Sequence, residues 1–271
     1  MKKQTPLAIW LLGFVLLSLY VHLLPRFFDA GNVSLWSAYW AGFFVLAYLV
    51  SRFLLKLQGL GQLGMERQKG WLQNLGIGFV IGLGVYALKY FAFWRLGKFE
   101  VAGLLELAFI LPMLGQALLA MFFSSILNDI TIRGYWYAFF RRRQLLAWYV
   151  FAATILYTLD DVWNAGLDPL NLVFSAILGA TFAYTVLKTG AIWMSLGLHW
   201  GGNMMYRVLY GFDGNGVWQL ENVREAPLYD WVSLAVTALM LPAVYFVLKS
   251  KYKQEQPTQV EGRGDLPQSY T

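Results

Sequence analysis

Long apolar runs alternating with short clusters of charge dominate this chain. Eight runs of spanning length can be traced, at residues 6–24, 33–55, 71–93, 104–140, 145–159, 170–187, 191–210 and 229–248. A helix needs about 20 apolar residues to cross the hydrocarbon core. The pattern therefore predicts an all-α fold, a polytopic membrane helical bundle of about eight transmembrane helices. The fourth run is too long for one straight span, and Pro112 is expected to separate an interfacial lead-in from the crossing itself. The fifth is short and ends on Asp160 and Asp161, which could cap it in headgroup water. Lys2 and Lys3 precede the first run as they would in a signal peptide. The run is long, however, and no small-residue cleavage site follows, so a retained span is predicted.

Composition removes the soluble alternatives. Apolar residues make up 58% of the 271 and charged residues only 13%, against about 25% charged in a soluble domain. The formal charge of +6 does not signal nucleic acid, because the basic residues are divided among the loops instead of forming one stripe. With eight crossings, Lys2, Lys3, Arg52, Lys56, Arg67, Lys69, Arg141, Arg142, Arg143, Lys188, Lys249, Lys251 and Lys253 share one side. The other side holds Arg26, Arg95, Lys98 and Arg224 with most of the acidic loop residues. Such asymmetry predicts cytoplasmic termini in a multi-pass protein of the plasma (inner) membrane. Cysteine is absent, which excludes disulfides and thiolate metal sites. Residues 1–251 read as one membrane-embedded domain, and 252–271, rich in Gln, Gly and Pro, as a disordered polar tail.

Ionisable residues within the apolar runs need a reason, since each costs at least ~2.5–3.5 kcal/mol at the centre of a membrane helix. The fourth run carries Asn128, Asp129 and Arg133; the fifth, Asp160 and Asp161; the seventh, His199, Asn203 and Arg207. Asp129 and Arg133 are four apart and can pair on one helix face, as can His199 and Asn203. Gly201 and Gly202 thin the seventh helix so that another backbone can approach. At 1.5 Å per residue, Asn128, Asp161 and Asn203 all lie ~20–24 Å from the basic side, and His199 ~16 Å. Polar groups from three helices are thus expected to line one cavity. His22, at the end of the first run, reads as an interfacial residue without a partner.

The motif order resembles the CPBP family, the CAAX proteases and bacteriocin-processing enzymes, which are intramembrane proteases. Asn128-Asp129-x-x-x-Arg133-Gly134 stands where that family has Glu-Glu-x-x-x-Arg. Tyr157-x-x-x-Asp161 is similar to its Phe-x-x-x-His, and His199-x-x-x-Asn203 to its third motif. The CPBP-like core would span about residues 104–210. The resemblance implies an endopeptidase acting on a peptide or membrane-protein substrate within the lipid bilayer. It implies a catalytic set of Asn128, Asp129, Arg133, Asp161, His199 and Asn203, of which His199 and Asn203 stabilise the oxyanion. It also raises a divalent metal such as zinc, with Asp161 and His199 as candidate ligands. Asn128 replaces a glutamate and cannot accept a proton near neutral pH, so the water-activating half is altered. Three readings stay open: a protease in which Asp129 or Asp161 is the base, an inactive pseudoprotease that binds a peptide or membrane-protein partner, and a small proton-coupled transporter relaying through Asp129, Arg133 and His199.

Overall fold

The computed structural model describes residues 5–28, 32–212, 214 and 216–254. Lys2, Lys3, Asp213 and the tail from residue 255 onward lie outside them. Among the described residues the chain forms eight helices: α1 Leu7–Phe27, α2 Val33–Leu54, α3 Trp71–Arg95, α4 Leu107–Arg142, α5 Tyr149–Ala165, α6 Pro169–Thr189, α7 Trp193–Tyr210 and α8 Pro227–Lys251. The last continues in helical turns to Gln254. All but α5 and α7 are long and apolar enough to cross a membrane by length and hydropathy. Those two are 17 and 18 residues long and carry Asp160, Asp161, His199, Asn203 and Arg207, polar residues that the sequence singles out. The fold is an all-α polytopic bundle.

Two local expectations are corrected, and one element is added. Pro112 does not divide the fourth run, because it sits in the second turn of an unbroken helix. The irregularity falls instead at Asp129–Gly134, a π-helical turn. Helix α5 does not stop at its carboxylates: it runs on to Ala165, so Asp160 is buried within the bundle at 7% exposure and does not cap a helix in headgroup water. Finally, Glu100–Leu104 and Trp218–Glu221 pair as a short antiparallel β1–β2 ribbon. Gly103 in the first strand and the absence of clear alternation hid that ribbon from the pattern.

The bundle has two distinguishable ends. At one, Arg143 and Arg142 donate to the carbonyls of Thr5 and Leu55, Lys251 donates to Asn74 Oδ1, and the Trp193 indole donates to the Glu66 carbonyl. The start of α1, the end of α2, the start of α3, the end of α4, the start of α7 and the end of α8 therefore meet on one side. That is the arrangement that an even number of alternating crossings produces. At the other end lie the β-ribbon and the Lys98–Glu225 ion pair. Leu107, Phe109, Leu111, Phe151 and Phe246 are all more than half exposed on the outside, where hydrocarbon is their solvent.

Helices α3 and α7 run parallel in close contact. A Cβ on Gly201 would overlap the Phe79 carbonyl, and one on Gly197 would overlap the Leu75 carbonyl. Gly78 and Gly82 answer from α3, facing the backbone of Met194 and Leu198. This small-residue seam lets the two backbones touch, which in lipid substitutes for a hydrophobic driving force. A second close approach occurs at Gly134, whose missing Cβ makes room for the Leu63 carbonyl. The loop between α2 and α3 is thereby pressed against the π turn.

Candidate functional site

The wide turn at Asp129–Gly134 lies inside α4, where irregular helical turns often mark functional positions. Asp129 there is fully buried. Its carboxylate pairs with Arg133 Nη1 at 3.1 Å, faces His199 Nδ1 at 3.0 Å through the same oxygen, and accepts from the Ser195 hydroxyl on the other. A carboxylate only accepts, so Nδ1 of His199 is the donor in this contact. His199 Nε2 then has no hydrogen-bond partner among the described residues. Its ring is stacked on Phe182 at 5.4 Å and meets the edge of Tyr157.

Arg133 is 1% exposed and serves both neighbours on α4. Besides Asp129 it donates to Asn128 Oδ1 at 3.0 Å. Its Nε and second Nη find no hydrogen-bond acceptor, but the guanidinium carbon lies 4.5 Å from the centres of both the Tyr157 and Phe182 rings. The two aromatic faces take the positive charge that those nitrogens leave unmatched. The pair of rings that clamps Arg133 also brackets His199.

Asn128 then passes the network onward. Its Nδ2 donates to Asp160 Oδ2 at 2.7 Å, and the other oxygen of Asp160 meets His22 Nε2 at 2.7 Å. His22 is therefore not the unpartnered interfacial residue that its sequence position suggests. It lies against α5, stacked on Trp163, with Asp160 fixing one ring nitrogen. The two histidines of the chain stand at the ends of one connected chain of side chains: His22, Asp160, Asn128, Arg133, Asp129, His199.

A single cavity of about 1460 Å³ is bordered by His22, Asn128, Asp160, Asp161, His199 and Asn203. Asp129 and Arg133 lie behind this wall. Asp161 faces the cavity, but its carboxylate is held by Ser175 and Asn171 of α6 and by Asn164. It is Asp160, one residue earlier, that reaches Asn128. Asn203 uses one amide hydrogen on Ser125 Oγ at 3.2 Å and has a second to offer.

Chemically the site has two carboxylate–histidine units, Asp129–His199 and Asp160–His22, flanking one space. Sequence reasoning left His22 and Ser195 out of the site, and it singled out Asp160 without placing it in the catalytic set. Ser195 was legible in principle, since it precedes His199 by one turn on the same face. His22 was not, because it comes from α1, more than a hundred residues away. As a zinc site the residues fit poorly. His199 Nδ1 and the Asp161 carboxylate are both engaged by the protein, and among the described residues no three His, Asp or Glu gather as ligands. A catalytic zinc ion normally takes three protein ligands.

Comparison with known families bears on this same region. Residues 110–205, about a third of the chain, match the family model described as type II CAAX prenyl endopeptidase Rce1-like. The match covers α4 from Ile110 to its end, all of α5 and α6, and α7 through Met205, and it bears out the resemblance read from the three motifs. No curated protein and no solved structure matches the chain.

Proposed function

Proceeding from the Rce1-like character of residues 110–205, we propose that this multi-pass membrane protein hydrolyses a peptide bond of a substrate held in the cavity, with His199 as the general base. The observation that carries the reading is the Asp129–His199 contact at 3.0 Å. It assigns the proton of the imidazole to Nδ1 and leaves the Nε2 lone pair for chemistry. In the proposed step a water oxygen attacks the scissile carbonyl carbon while its proton passes to His199 Nε2. The second amide hydrogen of Asn203 donates to the developing oxyanion. When the C–N bond breaks, Nε2 returns the proton to the departing nitrogen, so one imidazole serves both transfers and the enzyme is regenerated. His22, whose ring is fixed by Asp160, borders the same cavity and is a second group that could orient the water.

This departs from the roles implied by the family motifs. Asp129 is withdrawn behind the wall and satisfied by three donors, so it acts as a positioning residue for His199. Asn128 bridges Arg133 and Asp160 with both ends of its amide and takes no proton. The same fact favours a second reading, a pseudoprotease that binds a peptide without cutting it. We further propose that the Arg-rich end of the bundle faces the cytoplasm, on the positive-inside rule.

The two readings separate in one assay. Purified protein reconstituted in liposomes is incubated with a panel of short apolar peptides, alongside His199→Ala. Cleavage by the natural chain, reduced ~10²–10⁴-fold by the substitution, is the expected result. Binding of a peptide without cleavage by either protein would favour the pseudoprotease.

A further inference from the structure

The far end of the same cavity contains a group that the proposed hydrolysis does not use. Lys89 on α3 is 6% exposed and borders the cavity. Its ammonium nitrogen lies 3.9 Å from the centre of the Tyr86 ring, 4.9 Å from Tyr90 and 5.3 Å from Phe174. Among the described residues, no hydrogen bond or ion pair reaches this nitrogen. Helix α3 is otherwise apolar here, and a lysine in such a position is costly without a counter-charge. Arg207 of α7 borders the same end; its Nη1 donates to the Gly211 carbonyl at 2.8 Å and its Nε is unpartnered. The carboxylates that border the cavity have partners of their own: Asp160 meets Asn128 and His22, and Asp161, on the α6 side near Phe174, is held by Ser175, Asn171 and Asn164. Among the described residues neither forms an ion pair with Lys89.

Its level can be placed along the bundle. Tyr86 packs over Gly202 and Tyr90 meets Tyr210 at 5.7 Å, which sets Lys89 beside the Asn203–Arg207 turn. That is ~6–12 Å beyond His199 at 1.5 Å per residue. The volume of about 1460 Å³ exceeds what a drug-sized ligand needs. Around it stand Phe93, Phe174, Tyr206 and Phe212, which suit an apolar body.

We infer that Lys89 is the anchor of an anion subsite, one that takes the single oxyanion of an amphiphilic ligand whose apolar body fills the aromatic part of the cavity. The three rings hold the ammonium in place while the site is empty, and a carboxylate or phosphate supplies the missing hydrogen-bonded counter-ion. Such a group is carried either by a peptide with a free carboxyl terminus or by a single-chain lipid acid, and the shared chemistry is the oxyanion. The subsite serves a binding protein as well as a hydrolase, so it stands apart from whether the chain cleaves.

The test compares ligands that differ only in charge. One pair is an apolar peptide as its free acid and as its carboxyl-terminal amide; the other is palmitate and hexadecanol. Affinity is read by competition binding and by the ligand-induced shift of the thermal transition, on the natural chain and on His199→Ala, where turnover is blocked. The charged member of one pair should bind at least about tenfold more tightly, the worth of one charge-assisted hydrogen bond. That preference should vanish in Lys89→Met and persist in Lys89→Arg. The pair that shows it identifies the source of the oxyanion. No preference for charge in either pair on the natural chain would overturn the proposal, whatever the variants do. So would a preference that survives Lys89→Met intact. Failure of cleavage alone would overturn the hydrolytic reading and leave this one in place.

Discussion

Asp129→Asn is expected to lower peptide cleavage by about 10⁴-fold, the loss that a wrong histidine tautomer causes in hydrolases built on a carboxylate–imidazole pair. Asp129 receives Nδ1 of His199, Arg133 and the Ser195 hydroxyl. An asparagine can turn its amide nitrogen toward Nδ1 and donate the reversed hydrogen bond to it. The imidazole proton then moves to Nε2, and the nitrogen facing the cavity no longer accepts a proton from water. His22→Ala, which leaves the Asp129–His199 contact in place, would keep the natural tautomer. The check is a cleavage rate measured beside a peptide-binding constant: kcat should collapse while binding changes little. A loss of binding equal to the loss of rate would instead mark Asp129 as a purely structural residue.

The second large effect concerns stability. Arg133→Met removes a guanidinium that is 1% exposed and leaves the wholly buried Asp129 without its ion-pair partner. Breaking a buried pair from one side costs about 3–5 kcal/mol. The same change frees Asn128 Oδ1 and vacates the slot between Tyr157 and Phe182. Arg133→Lys should recover only part of this loss, since an ammonium cannot serve two acceptors in a plane while lying flat between two rings. Reversible unfolding of the solubilised protein in mixed micelles reads the difference. A methionine variant as stable as the natural chain would show that neither the ion pair nor the contacts of the guanidinium with Asn128 and the two rings hold this part of the bundle.

Periodicity was enough to outline the helices. The predicted second, third and seventh runs, 33–55, 71–93 and 191–210, coincide with α2, α3 and α7 to within two residues, because their ends are marked by glycine and by clustered charge. Where polar side chains lie inside hydrocarbon the outline was less secure. Helix α5 was cut short at Asp160 because a carboxylate pair reads as the end of a span, and only the tertiary partners His22 and Asn128 explain why the helix continues. Pro112 misled in a similar way, since one proline near the start of a helix loses a hydrogen bond without ending the helix. Depth counting brought Asn128, Asp161, His199 and Asn203 to one level, and all four border one cavity. It could not say which of two adjacent aspartates faces Asn128, because that is set by helix rotation and not by rise. The contribution of α1 lay beyond local sequence altogether: a histidine with no patterned neighbour gains its meaning only from the packing of α1 against α5.

Hydrolysis in this cavity requires that water be added across a peptide bond. Cleavage in ¹⁸O-labelled water, followed by mass spectrometry of the products, tests that addition directly. One heavy oxygen is expected in the newly formed carboxyl group of the amino-terminal fragment with the natural chain, and none above background with His199→Ala. Recovery of bound but intact peptide from the natural chain, or label incorporation equal in the two proteins, would contradict it.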